Sequence, residues 1–182
     1  FGWSPRDGAP GSRESVKTNP KYTPLAFYHH KVWDLCGPAK SFFTKALKDL
    51  YEAYLYTGEK KYGVAGAILL DRIADVYPAY DITKVTLSYA NSHGGDYTGK
   101  IVGNIWETFI TSELARAYDA LYPVMEEPEV IKYLSAKAKT LKGVTNPKTS
   151  ADHIRENAEN GIIREGLKAI ENAQIFGNFG MH

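Results

Sequence analysis

Apolar residues return every three or four positions through five separate stretches of this chain, and glycine or proline stands near the end of most of them. That period is helical, and it leaves little of the chain for a sheet. The first helix is expected over residues 37–57, opening at Gly37-Pro38, with Phe43, Leu47, Leu50 and Tyr54 on one face and Gly58 after it. The second, over 60–77, lines up Tyr62, Ala65, Leu69, Ile73 and Val76 and stops at Pro78. So short a connection predicts an antiparallel hairpin. Gly63 and Gly66 lower helix propensity there and predict close contact with a neighbour. A third helix over 102–122 carries Trp106, Ile110, Leu114, Ala117 and Leu121, and a fourth over 128–142 carries Val130, Leu134 and Leu141 before Gly143, which predicts a second hairpin. The fifth has Thr149 or Ser150 as N-cap and Ile154, Ala158, Ile162, Ile170 and Ala173 in register to about Phe176. Asn160-Gly161 interrupts it as a kink or short break, and the apolar spacing favours a continuous helix.

The expected class is therefore all-α, built of antiparallel helical hairpins. Residues 84–89 alternate weakly, but a lone strand needs a partner. No helical-repeat period is present, and the loop over 79–100 breaks any regular array, so part of a helical toroid or an irregular bundle is expected. Residues 1–38 form a separate expectation. Five of the nine prolines fall there beside Phe1, Trp3, Tyr22, Phe27, Tyr28 and Trp33, which predicts an extended lead-in packed on a helical body over 39–182. The chain reads as a piece of a longer protein, because it starts at Phe1 and ends abruptly at His182.

Charge narrows the partners. Lys plus Arg number 22 against 21 for Asp plus Glu, so no global field draws nucleic acid or an anionic membrane, and neither is expected as a partner. An anionic ligand would have to be held locally. Arg6, Arg13, Lys17, Lys21 and Lys31 outnumber Asp7, Glu14 and Asp34 in the lead-in, as an acidic glycan or ordinary surface charge would both explain. No apolar run is long enough to span a membrane, and residues 1–10 lack the apolar core of a signal peptide. Cys36, the single cysteine, forms neither an internal disulfide nor a cysteine metal cage and is read as a small buried side chain.

There is no P-loop, dinucleotide fingerprint, HExxH or GxSxG. Chemistry-bearing residues remain in a few places. His29-His30 sits in an aromatic segment, where one imidazole of an extended pair faces inward. His93 and Tyr97 lie in the long loop, and His153 in a first helical turn, where exposure is expected. Trp106, at the loop-to-helix junction beside Glu107, suits either a sugar's C–H face or the core. In the final run, two glycines release Asn178 and His182 from the preceding helix.

Four segments carry a resemblance. Asp71-Arg-Ile-Ala-Asp-Val-Tyr-Pro78, Gly103-Asn-Ile-Trp-Glu107, Ile154-Arg-Glu-Asn157 and Gly177-Asn-Phe-Gly-Met-His182, in this order, resemble the amino-terminal helical region of heparinase II/III-like polysaccharide lyases. The resemblance implies an incomplete α/α toroid followed, beyond this segment, by β-sandwich layers, in a secreted or periplasmic bacterial protein. It implies β-elimination on a uronic-acid polymer such as a glycosaminoglycan or alginate. Asn178, with His182 as partner or replacement, would neutralise the carboxylate, while His30, Tyr97 and Trp106 would contact sugar. The family's catalytic tyrosine and second histidine would follow His182, so this piece alone should lack turnover. The resemblance implies no metal or other cofactor in this segment and leaves room for a structural metal in a following one. Two other classes stand beside it: an α/α-toroid glycoside hydrolase, with Asp96 and Glu107 as the carboxylate pair, and a non-catalytic carbohydrate-binding helical module.

Overall fold

A computed structural model of the chain describes residues 45–79, 107–141 and 144–172. The chain divides into two units, and the one made of Ala46–Ala79 and Thr111–Leu167 lies almost wholly within those residues. The described residues are mostly helical and contain no strand. The elements are α1 (Leu47–Thr57), α2 (Lys60–Val76), a 3-10 turn (Tyr77–Ala79), α3 (Glu107–Leu121), a second 3-10 segment (Tyr122–Glu126), α4 (Pro128–Ala138), α5 (Ala151–Ala158), a π-helical turn (Glu159–Arg164) and α6 (Glu165–Asn172).

The α1–α2 connection follows from local chemistry. Gly58 sits at φ 69°, in the left-handed region, and its N–H donates to the Tyr54 carbonyl at 2.8 Å, closing α1. The Thr57 hydroxyl accepts from the Glu59 N–H at 3.1 Å, and α2 starts one residue later. The two helices pack on each other as the expected hairpin.

Helix α2 is the centre of the unit, packing against α1, the Tyr122–Glu126 segment, α4, α5 and the π turn. Its buried residues are Gly63, Gly66, Ala67, Leu70, Asp71, Ile73 and Ala74. The sequence register is corrected here: of Tyr62, Ala65, Leu69, Ile73 and Val76, only Ile73 is buried, and Ala65 is exposed. The physical reason is that a helix touched from several sides turns its smallest residues towards the closest neighbours, whereas an apolar count weighs glycine as nothing. The bare faces of Gly63 and Gly66 are filled by Tyr54 and Val124, and by Leu121 and Leu50, respectively.

In α3 the expected face holds where it is described, with Ile110, Leu114, Ala117 and Leu121 all buried. Helix α4 buries Val130 and Leu134 but ends at Ala138, short of the expected 142. The N–H groups of Thr140 and Leu141 both turn back to the Lys137 carbonyl and close the helix as a tight turn. From Ala151 to Asn172 the chain stays helical, as the apolar spacing predicts, with the interruption at Asn160-Gly161 absorbed as a π turn. Ser150 is the N-cap, its Oγ accepting from the His153 N–H at 3.2 Å. The lead-in 1–38, the loop expected over 79–100 apart from its first residue, and the first residues of the expected third helix lie outside the described residues.

The π turn lays its backbone directly on the end of α2. A Cβ at Gly161 would collide with the Ala74 carbonyl, a rigid backbone neighbour, whereas one at Gly58 would meet open space. Gly161→Ala should therefore cost about 2–3 kcal/mol through forced separation of α2 and the π turn. Gly58→Ala should cost about 1 kcal/mol, through its positive φ alone. Urea unfolding of both variants checks the order; equal losses would remove the contact from the account.

Candidate functional site

Asp71 and Asp75, four residues apart, share one face of α2. Asp71 points into the core, with its side chain 1% exposed. A buried carboxylate needs a counter-charge and hydrogen-bond donors, and both arrive from distant parts of the chain. Lys148, 2% exposed, reaches in from the connection before α5; its Nζ donates to Asp71 Oδ2 and, at 2.6 Å, to Asp75 Oδ1. Asn157 on α5 points its Nδ2 at Asp71 Oδ1 (2.9 Å), Asp75 Oδ1 (3.1 Å) and the Asp71 carbonyl (3.3 Å).

Local chemistry sets the Lys148 backbone. It lies at φ 52°, the one positive φ among the described non-glycine residues. The Asn146 side chain supports that turn, with Oδ1 accepting from the Lys148 N–H at 3.1 Å and Nδ2 donating to the His153 carbonyl at 2.7 Å. The Ser135 hydroxyl donates to the Lys148 carbonyl at 2.8 Å, so α4 is tied to the same turn. Side chains of α2 and α4 and the connection's own Asn146 thus meet at one lysine.

One cation faces two carboxylates. Arg72 approaches Asp75 Oδ2 at 3.4 Å but is about half exposed and adds little. Burial pushes the Asp71 carboxyl above its ordinary value of 3.8, and the charge of Asp75 pushes the same way, while the hydrogen bonds and charge of Lys148 and the Asn157 amide oppose them. Chemically the cluster is a buried clasp. Each carboxylate is already engaged by donors, and no group of three or more His, Cys, Asp or Glu suited to a metal ion occurs among the described residues.

Two tyrosines are tied to carboxylates at the edge of the helices. Tyr51 donates to Glu113 and Tyr118 to Glu159, each at 2.6 Å. Burial, then the acceptor carboxylate, pushes both phenols well above their usual range, which makes them unsuitable as bases near neutrality. Beside Tyr118, Arg155 lies over the Tyr122 ring at 4.1 Å and donates to the Tyr122 carbonyl at 3.2 Å.

The site residues named from the sequence, His30, Tyr97, Trp106, Asn178 and His182, lie outside the described residues, as do Asp96 and Cys36. Glu107 opens α3. His153 is half-buried, a correction to the exposed position expected of it, because its Nδ1 lies 3.1 Å from the Thr149 hydroxyl and its carbonyl is held by Asn146. Sequence reasoning assigned no role to Lys148. The available signals were an Asp pair at helical spacing and an asparagine two residues before the lysine, and neither names its partner. Compared with protein-family models, curated proteins and solved structures, the chain matches none.

Lys148→Met leaves two buried carboxylates without their cation and should cost about 3–5 kcal/mol in chemical unfolding. A loss below about 1 kcal/mol would mean that water, not Lys148, compensates the pair. Because the folded-state pKa of Asp71 lies above 3.8, the native state binds this proton more tightly than the unfolded chain does. Its stabilising contribution is complete below the unfolded value and is lost as pH rises through the folded one. Asp71→Asn should flatten that fall, read as the difference between wild-type and variant unfolding free energies from about pH 4 to about pH 6. Parallel curves would contradict the assigned direction.

Proposed function

We propose that this chain is the amino-terminal helical part of a polysaccharide lyase that cleaves a uronic-acid-containing polymer, a glycosaminoglycan or alginate, by β-elimination. One observation carries the reading. Asp71, Asp75 and Asn157 belong to two of the four segments that resemble heparinase II/III-like lyases, and these segments, 86 residues apart at Asp71 and Asn157, meet in one buried hydrogen-bonded cluster. Segments matched independently along the chain thereby belong to one helical framework. The hairpin of α1 and α2 and the other helices packed around α2 fit a segment of an incomplete α/α toroid.

The proposed chemistry follows from the substrate. A proton leaves C5 beside the uronate carboxylate, the C4–O bond breaks, and a double bond forms between C4 and C5. Charge builds on the carboxylate as the proton leaves, so a neutral amide or imidazole hydrogen-bonded to it lowers the barrier. Asn178 fills that role, with His182 beside it, and His30, Tyr97 and Trp106 contact the sugars. By the resemblance, the proton-transfer groups, a tyrosine and a second histidine, would come after His182, and a β-sandwich part would complete the cleft. The parent would work in the periplasm or outside the cell. This segment supplies no metal or other cofactor, and any structural metal would belong to the part that follows.

The full-length parent should release unsaturated, ultraviolet-absorbing ends from its polymer, and Asn178→Ala should lower kcat about 100-fold or more. Products carrying added water and no double bond would assign the protein to the glycosidases instead. Full activity of the Asn178 variant would remove that amide from the mechanism.

A further inference from the structure

Four polar side chains meet in the clasp almost out of reach of solvent. Those of Lys148, Asp71 and Asp75 are 2%, 1% and 6% exposed. The Lys148 amine donates to Asp71 Oδ2, Asp75 Oδ1 lies 2.6 Å from the same nitrogen, and the Asn157 amide holds the other Asp71 oxygen, Oδ1, at 2.9 Å. The contacts that compensate burial also bring together a nucleophile, an acyl group, a proton carrier and a donor for a developing oxyanion.

We propose that Lys148 and Asp71 condense within the folded chain into an amide, an intramolecular isopeptide bond, with Asp75 carrying the proton. The proton that Lys148 shares with Asp71 Oδ2 passes to that oxygen, which leaves a neutral amine beside a neutral carboxyl. The nitrogen lone pair bonds to Asp71 Cγ, and the charge that builds on Oδ1 meets Asn157 Nδ2. Asp75 Oδ1 takes a second proton from the nitrogen and returns it to the Oδ2 hydroxyl. The Cγ–Oδ2 bond then breaks and water leaves. The third ammonium hydrogen stays on the amide nitrogen, Asp75 is ionised again, and no other reactant is consumed.

Three physical conditions favour the step. Folding holds amine and carboxyl together, so their reaction is effectively unimolecular. Burial favours the uncharged carboxyl of Asp71, the form that a nucleophile attacks. Amide formation also removes a buried cation and a buried anion, whose desolvation is costly. The ion cluster is the reactant state, present in freshly folded protein. The finished bond joins positions 77 residues apart and restrains the unfolded chain as a disulfide would, in a chain whose single cysteine can form no internal one. This inference goes beyond the lyase reading and uses none of the residues assigned to elimination.

The test is intact mass spectrometry of the whole protein, denatured for the measurement after purification and at intervals after refolding at neutral pH. The mass should lie one water below that of the sequence, on purification or with time after folding. Trypsin should then fail to cut after Lys148 and should yield residues 143–155 joined to residues 62–72, which carry Asp71. A cut after Arg72 separates that peptide from the one carrying Asp75, so the digest distinguishes the two carboxyls. Lys148→Arg keeps the cation and should retain its full mass, whereas Asp75→Asn should slow the loss of water about tenfold or more. Circular dichroism at the wild-type level identifies the variants as folded, and the wild-type measurement needs no variant.

A folded wild-type protein that keeps its full mass overturns the proposal. The same loss of water from folded Lys148→Arg overturns it too, because the loss would then arise elsewhere in the chain. Loss of ammonia, with residues 143–155 joined to the peptide carrying Asn157, overturns the choice of Asp71 as acyl group. An unchanged rate in folded Asp75→Asn overturns its part as proton carrier.

Discussion

Burying Asp71 in the face of α2 creates an obligation that the rest of the unit meets. A carboxylate in the core needs a counter-charge and hydrogen-bond donors, and Lys148 and Asn157 supply them from 77 and 86 residues away. Meeting that need bends the chain at Lys148 into a left-handed turn, which Asn146 and Ser135 hold from two sides. An apolar core tolerates some sliding of helix on helix. An ion cluster with directional donors does not, so it selects one arrangement of α2, α4, α5 and the connection between the last two.

Close packing acts beside the ionic clasp. Gly63 and Gly66 let Tyr54, Val124, Leu121 and Leu50 lie against the α2 backbone, and Gly161 lets the π turn rest on the Ala74 carbonyl. The π turn has a clear cause. A regular helix through Asn160-Gly161 would rotate the later residues relative to α5, and the wider turn instead keeps Ile162 buried along with Ile154 and Ala158. Gly63 and Gly66 serve the N-terminal half of α2, whereas the ion cluster and the Gly161 contact at Ala74 fall in its C-terminal half.

That rigidity bears on the proposed function. Elimination on a charged polymer requires a neutralising group and a proton-transfer group held in fixed relation while a long substrate passes, and a helical framework locked by buried polar contacts suits that duty. The clasp orders the helices of the described unit, and in the proposed reading the chemistry falls to Asn178 and His182.

How much of this was legible in the sequence depended on the range of each interaction. Helix positions, the Gly58 stop, the Ser150 cap and the break at Asn160-Gly161 were readable because each arises within a few residues. The buried register of α2 was misread, since glycine and alanine carry almost no apolar signal although they mark the closest contacts. The motifs holding Asp71 and Asn157 could be singled out as resemblances, but their joint role required seeing them meet. The candidate residues for the reaction itself stood out only as motifs, in segments outside the described residues. By itself the sequence determined the helical class and most of the helix ends, because those depend on local hydrogen bonding and periodicity. Only the tertiary structure decided that Lys148 is an interior cation rather than one more surface lysine, because its two partners lie more than seventy residues away and burial alone makes their attraction strong.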